Sequence, residues 1–502
     1  MTSTHTEIEL KFLVPSEARS AVLAEVTRGS ATLERISLAA KYLDTADRRL
    51  ARAGMAWRLR REGRRWVQTL KAAGANPLER FEHEVIRPGA THDLTAHAGT
   101  LAGDRLLEIV TRAGAEGVEL GVRFATEIRR TARRVRTHGA VIEVAFDEGR
   151  LLAGQASLRV RELEFELVSG SPAAMLALAE RWRQRFGLLY DPRSKAERGD
   201  LLAEGVAHPT VRRAQWPDFV KSATASQAFA AVVDECLAQL CLNAIGLCVG
   251  DPSLRVEHVH QMRVGIRRLR SALKCFEGWT APAPPHLVED LRALFAGLGA
   301  CRDIDVLDSG VLADLARAGA PALTLGRAEN GPSPAELIMS DSTQRLFLAW
   351  IAWRASVAPA RAPGQVAPDH EATPRLSHLI ARRLGRWHAQ FAADWADFEQ
   401  LDDERLHDLR KRIKRQRYGV EFFAPLLRRK PLERYLGALT AIQDRMGELN
   451  DLFAARSMFR ALAVTDSKAL FALGWIAARI DELRARAKPE LRALVKSKLP
   501  TR

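Results

Sequence analysis

Cysteine is scarce here and unpaired. The five cysteines (Cys236, Cys241, Cys248, Cys275 and Cys301) all lie beyond residue 235, and no two form a Cys-x-x-Cys pair. That excludes a disulfide framework and a ribbon-type zinc site, and suits a reducing cytosol. Aromatic residues make up only 6% of the chain and do not alternate with basic ones, so stacking platforms for single strands are missing and nucleic acid is not an expected partner. The apolar runs at 346–353 and 469–478 are too short to span a bilayer, and no membrane is expected. Met1 to His5 shows no basic run followed by an apolar stretch, so no secretion signal is expected. Acids are outnumbered, 61 against 76 Lys and Arg, leaving a net charge of +15. Such a chain attracts polyanions, whether nucleic acid, polyphosphate or an anionic lipid surface, and the charge alone does not choose among them.

A chain of 502 residues suggests two to four domains. Residues 1–203 read as strand-rich. Alternating or β-branched runs predict strands at 7–14, 36–42, 56–61, 65–71, 80–86, 127–136, 141–147 and 158–168, with helices at 16–27 and 171–186. Many antiparallel strands of this length predict a barrel or a sandwich. Residues 204–219, with Pro209 and Pro217, read as a linker. Residues 220–498 are rich in Ala, Leu and Arg at three- and four-residue spacing, which predicts an all-α domain. Proline- and glycine-rich stretches at 318–334 and 358–374 interrupt it.

The densest chemistry lies in Glu7-Ile8-Glu9-Leu10-Lys11-Phe12. A strand puts alternate residues on one face, so Glu7, Glu9 and Lys11 point one way and Ile8, Leu10 and Phe12 the other. The same rule groups Arg58 with Arg60, Thr69 with Lys71, Glu143 with Asp147, and Glu162 with Glu164 and Glu166, and Arg130 adds a cation. Cross-strand ion pairs on a solvated sheet would produce such a pattern. So would a wet barrel interior in which carboxylates hold a hard divalent cation, Mg²⁺ or Mn²⁺, and cations hold phosphate oxygens. A dry core would not, because unpaired buried charges cost several kcal/mol each.

The helical half repeats itself. His260-Gln-Met-Arg263-Val-Gly-Ile-Arg267-Arg268-Leu-Arg270 matches His407-Asp-Leu-Arg410-Lys-Arg-Ile-Lys414-Arg415-Gln-Arg417, and Gly299 to Asp303 resembles Gly447 to Asp451. Two duplicated helical bundles, at about 220–330 and 340–498, account for both matches. In each copy an apolar stripe (Val259, Met262, Ile266, Leu269; Leu406, Leu409, Ile413) runs beside a basic row. The rows are His260, Arg263, Arg267, Arg270 and Lys274, then His407, Arg410, Lys414 and Arg417. A row that adds a cation about every 5 Å of helix suits a long polyanion, and it also suits a solvated face with stems on the core.

Glu7-x-Glu9-x-Lys11 resembles the opening signature of the CYTH superfamily, the triphosphate tunnel metalloenzymes. The resemblance continues in Tyr42-Leu43-Asp44-Thr45, Arg58-Leu59-Arg60, Thr69-Leu70-Lys71, Glu162 to Glu166 and Ser194-Lys195-Ala196-Glu197-Arg198-Gly199. It implies an eight-stranded antiparallel barrel forming a tunnel. It further implies that Glu7, Glu9, Asp147, Glu162 and Glu164 serve a metal, that Lys11, Arg58, Arg60, Lys71, Arg130 and Lys195 hold phosphate, and that Glu7, Glu9 and Lys11 serve catalysis. The helical half resembles the CHAD domain, a family associated with inorganic polyphosphate, and its basic rows match those of that module. Two departures stand out: Gln416 sits where the first copy has Leu269, and Lys411 and Arg412 replace Val264 and Gly265. The combination implies a cytoplasmic, metal-dependent inorganic triphosphatase acting on tripolyphosphate, with a module that binds polyphosphate and associates with polyphosphate granules. A non-catalytic polyphosphate scaffold and an enzyme for an organic triphosphate, thiamine triphosphatase or adenylyl cyclase, stay open. So does the base, with Glu84, Glu143 or a metal-bound hydroxide as candidates.

Overall fold

The computed structural model describes residues 2–29, 32–74, 76–306, 311–322, 331–357 and 375–501. The stretch 358–374, the middle of 318–334 and the side chains of Cys301, Arg302 and Asp303 lie outside the described residues. Eight strands close into an antiparallel barrel: β1 (Thr2–Leu13), β2 (Glu34–Thr45), β3 (Met55–Glu62), β4 (Arg65–Ala73), β5 (Glu79–Arg87), β6 (Leu120–Thr137), β7 (Ala140–Ala153) and β8 (Ala156–Ser169). Round the ring the order is β1, β5, β4, β3, β2, β6, β7, β8 and back to β1. Closure falls to β1, which pairs with β5 through residues 2–8 and with β8 through residues 9–13. A two-residue strand, β9 (Leu189–Tyr190), adds to β1 at Phe12 and Leu13. The barrel expectation thus holds, and each expected strand lies in an observed one except for Val14, just past β1.

Five helices accompany the barrel: α1 (Arg19–Thr27), α2 (Arg49–Arg52), α3 (Leu101–Ala115), α4 (Pro172–Phe186) and α5 (Lys195–Ala203). The apolar outer face of the sheet is covered by helices, as the alternation requires. Leu106, Ile109 and Val110 of α3 bury Trp57, Leu59 and Leu70. Trp182 of α4 meets Phe165 edge-on at 5.8 Å, and Phe165 meets Phe12 at 5.7 Å. Asp44 is a structural residue. Its buried carboxylate accepts from the backbone N–H groups of Thr45, Leu50 and Ala51 at 2.7–2.9 Å, and so fixes the turn into α2.

The lumen is not uniformly wet. Cross-strand register puts Leu38, Ala40, Tyr42, Phe124, Ile128, Leu151 and Val160 on the same face as the charged residues. They form a buried apolar cluster with Leu202 of α5. Helix α5 therefore lies inside the barrel, and Gly199 makes that possible: a Cβ there would stand 2.2 Å from the Phe124 ring. Ser194 and Glu197 form a reciprocal capping box at its start.

The rest of the described chain is helical: α6 (Ala225–Val249), α7 (Arg255–Cys275), α8 (Pro285–Val306), α9 (Leu312–Arg317), α10 (Pro334–Met339), α11 (Asp341–Ser356), α12 (Leu376–Ala396), α13 (Asp403–Phe422), α14 (Arg429–Leu462) and α15 (Ala469–Lys496). The matching repeat segments fall on α7 and α13, and on α8 and α14. Helix α6 is long and apolar enough to cross a membrane by length and composition alone, with a mean hydropathy of 1.6, but 61% of that window is buried inside the chain, as in a core helix.

By contacts the chain forms two compact units that are discontinuous in sequence. One comprises Met1–Arg212, Ala238–His258 and Ile338–Pro359, and the other Arg213–Leu237, Val259–Leu337 and Ala360–Arg502. Two pieces of the span 220–498 thus belong with the barrel. Within the barrel unit, Asp341 of α11 pairs with the nearly inaccessible Arg183 of α4 at 2.5 Å, and Gln344 accepts from the backbone of Tyr190 at 2.9 Å. In the helical unit the odd Gln416 is wholly buried and donates to the Tyr435 hydroxyl at 2.9 Å, which also lies 2.7 Å from His388 Nδ1. The second copy therefore tolerates glutamine where the first has leucine because its core supplies polar partners.

Candidate active site and anion cavity

Three carboxylates converge in the barrel. Asp147 of β7 pairs in register with Glu162 of β8, and Glu164 follows on the same face. One oxygen from each lies within 4.8 Å of the others, and all three residues are buried. Arg130, opposite Asp147 on β6, makes a two-pronged contact with it at 2.7 Å and also bonds Glu164. Lys195, the first residue of α5, reaches all three acids: Asp147 at 2.7 Å, Glu164 at 3.0 Å, and Glu162. Arg198, one helical turn on, bonds Glu162. Sequence reasoning left Arg198 out of the site, although its i+3 spacing from Lys195 places both on one helix face.

Glu7 and Glu9 are buried in the same barrel but do not join that trio. Glu7 bonds Lys71 at 2.5 Å, and Lys71 also lies 3.1 Å from Glu82. Glu9 pairs with Lys11 and with Arg80, the latter at 2.9 Å. Arg58 lies 3.3 Å from the Tyr42 hydroxyl and 3.7 Å from Glu82, and Arg60 bonds Glu62 and reaches Glu84 at 3.3 Å. Arg80, Glu82 and Glu84 alternate along β5, as the sequence pattern indicated, and Arg80 and Glu82 are thus further lumen residues.

The electrostatics are unevenly balanced. Burial pushes Asp147 and Glu164 up, but Arg130 and Lys195 more than offset this and hold both below their usual range. Burial also pushes Glu162 up, and there Lys195 and Arg198 only partly compensate. Glu166, beside Glu7, Glu143 and Glu82, is pushed to about 8 by burial and then by Glu7, against the pull of Lys71. Burial and the neighbouring carboxylates thus favour the protonated form of Glu166. Three converging oxygen donors fit a hard divalent ion. Asp147, Glu162 and Glu164 are the residues that could hold it.

A second constellation lies wholly in the helical unit. Helices α7, α8, α13 and α14 line a cavity of about 1510 Å³. His260, Arg263, Arg267, Arg270 and Lys274 reach it from one repeat and His407, Arg410 and Lys414 from the other. Lys411 and Arg412, the extra cations of the second copy, line it too. Arg417 is not among the lining residues; it pairs with Glu421 at 2.9 Å. Among the described residues, ten lysines and arginines face the cavity against four carboxylates. Arg270 is held below its ordinary value by burial and then by Arg292, a sign of crowded positive charge. His407 Nδ1 lies 2.8 Å from Asn450 Oδ1, so Nδ1 carries the hydrogen and Nε2 is left as the other ring nitrogen for the cavity.

The CYTH domain family matches residues 5–199 and the CHAD domain family residues 231–460. The chain is a CYTH domain followed by a CHAD domain. It is 28% identical over 180 residues to an inorganic triphosphatase of Haemophilus influenzae, an alignment covering 36% of this chain and 49% of that protein. The CYTH–CHAD chain thus spans about half the length of the curated relative it matches. Among solved structures, the CHAD domain of Ricinus communis is 30% identical, covering 58% of this chain and 98% of that one with a TM-score of 0.45. The Hippeastrum protein HpAC1, described with a dominant triphosphatase activity, is 20% identical, covering 40% of this chain and 96% of that one with a TM-score of 0.27.

Proposed function

We propose that the barrel hydrolyses inorganic tripolyphosphate to diphosphate and phosphate in a reaction that needs Mg²⁺ or Mn²⁺, and that the helical cavity holds longer polyphosphate. The observation that carries this reading is the three-carboxylate convergence facing Lys195 and Arg130 inside one barrel. Asp147, Glu162 and Glu164 would hold the divalent ion, which would supply charge neutralisation and Lewis acidity for attack by water. Lys195 and Arg130, which stand beside the trio, would hold phosphate oxygens there. Arg58, Arg60 and Lys71 hold the charge of the remaining phosphates from β3 and β4, and Lys11 does so from β1. The apolar cluster and α5 fill the lumen beside these cations, which favours a substrate without a base or thiazole ring. For the CHAD domain, the support is the excess of cations from both repeats around a single cavity.

Because every acid of the trio already meets a cation, a non-catalytic scaffold is the second reading. Phosphate release from tripolyphosphate, ATP and thiamine triphosphate, each with Mg²⁺, with Mn²⁺ and with chelator, separates the two. The proposal expects metal-dependent release fastest from tripolyphosphate, and loss of at least a hundredfold in Glu162→Gln with long-chain polyphosphate binding retained. No release from any substrate, or release that survives chelation, overturns it.

A further inference from the structure

Tyr42 stands at an unusual junction. Its ring stacks on Phe124 with centroids 4.4 Å apart and planes tilted by 16°. Phe124 is in turn held from behind by Gly199 of α5. On its other side the Tyr42 hydroxyl accepts from Arg58 Nη1 at 3.3 Å. The remaining guanidinium groups of Arg58 are poorly used: Nη2 lies 3.7 Å from Glu82, and the buried Nε finds no acceptor among the described residues. Leaving a buried donor without an acceptor is costly, so a lumen ligand that supplies one is bound the more tightly. Burial raises the Tyr42 phenol, but Arg58, Lys195 and Arg60 draw it below its ordinary value, so the hydroxyl sits among three of the cations assigned to phosphate.

Resting on the triphosphate reading above, we propose that Tyr42 is a positioning residue: backed by Phe124 and α5, it fixes the plane of the Arg58 guanidinium so that its unused N–H groups meet a phosphate oxygen. The Tyr42–Phe124 stack ties the seating of α5, which brings Lys195 and Arg198 to the acids, to the arginine on β3. Two-state adjustment is not required. A hydrogen bond and a stack suffice to hold one long side chain in one rotamer, and the entropy of ordering it is then spent before the ligand arrives.

The test is a cycle of Tyr42→Phe and Arg58→Ala, singly and together, read by calorimetric affinity for tripolyphosphate in chelator and by kcat and KM with Mg²⁺. Tyr42→Phe keeps the stack and is expected to weaken binding and raise KM five- to tenfold with kcat changed less than twofold. In the Arg58→Ala background the same change should cost nothing further. Phe124→Leu, which leaves the hydroxyl but removes the stack, should give a smaller loss that also vanishes without Arg58. Unaltered affinity in Tyr42→Phe, or an equal loss with and without Arg58, overturns the inference. A wild-type chain that binds tripolyphosphate but does not hydrolyse it sinks the proposed activity alone, since the affinity cycle still decides Tyr42. One that does not bind tripolyphosphate sinks both.

Discussion

Gly199→Ala sets two opposing effects against each other. In a helix interior, alanine is favoured over glycine by about 1 kcal/mol. At this position, however, the new methyl would stand 2.2 Å from two carbons of the Phe124 ring and 2.8 Å from a third. Carbon atoms rest at about 3.5–4.0 Å, so the groups must part by more than an ångström. Phe124 cannot yield cheaply, because Tyr42 is stacked on its other side at 4.4 Å. The helix must move instead, and Lys195, one turn earlier, moves with it away from Asp147 and Glu164, now 2.7 and 3.0 Å off. Overpacking of a close-packed interior costs about 1–3 kcal/mol, and a double overlap on an immobile ring belongs at the upper end. The net expectation is a loss of about 2 kcal/mol, which lowers the melting temperature of a domain this size by about 4–8 °C. Turnover of tripolyphosphate should fall further than stability accounts for. Gly437→Ala in α14 is the control: nothing lies within 4 Å of its Cβ, so it should stabilise by up to about 1 kcal/mol. Thermal melts and phosphate release on both variants decide the matter. A Gly199→Ala protein that melts at or above the wild type would refute the placement of α5 in the lumen.

Beneath the outer wall, His83 and His97 face each other Nδ1 to Nδ1 at 3.0 Å, and burial, then His83, pushes His97 down to about 4. A histidine whose folded pKa lies below its free value contributes stability that is complete above about pH 6.5 and is lost as pH falls through 4. The melting temperature should therefore decline on acidification across that window, and His97→Gln should flatten the slope; an unchanged slope counts against the pair. Arg267→Glu in the cavity should weaken binding of long-chain polyphosphate and reduce its salt sensitivity while leaving tripolyphosphate turnover within twofold. Equal polyphosphate affinity in that variant across a salt series would remove the cavity from the account. Asp44→Ala, which strands three backbone donors, should destabilise the barrel by about 2–4 kcal/mol in denaturant titration, and a loss under 1 kcal/mol would contradict the cap.

Much of the fold was legible because a strand's period of two separates faces without further information. Alternation put Glu7, Glu9 and Lys11, and Glu162 and Glu164, on one face of their strands, and the repeat declared the paired basic helices; that the charged face turns inward follows from closure of the barrel. What stayed hidden depended on distance in the chain. Helix α3 was missed because Gly103 and Gly114 lower its propensity; Gly103 is needed, since a Cβ there would meet the His97 carbonyl at 1.8 Å. The filled portion of the lumen was hidden because Tyr42 and Phe124 read as ordinary strand aromatics until their register places them with Arg58. Metal roles for Glu7 and Glu9 rested on the family signature, and the geometry ties them to Lys71 and to Lys11 and Arg80, outside the trio. The attachment of 338–359 to the barrel could not be read at all, because no local pattern records which distant surface a helix will cover.

That last attachment has a bearing on biosynthesis. The ribosome finishes β9 well over a hundred residues before it delivers Asp341 and Gln344, which cover Arg183 and the Tyr190 backbone. Until α11 emerges, a guanidinium and a main-chain donor near β1 wait without their eventual neighbours, and a protein stopped at residue 219 would keep that wound open. A barrel translated without α11 therefore folds with Arg183 and the Tyr190 N–H short of the two partners that the complete chain gives them.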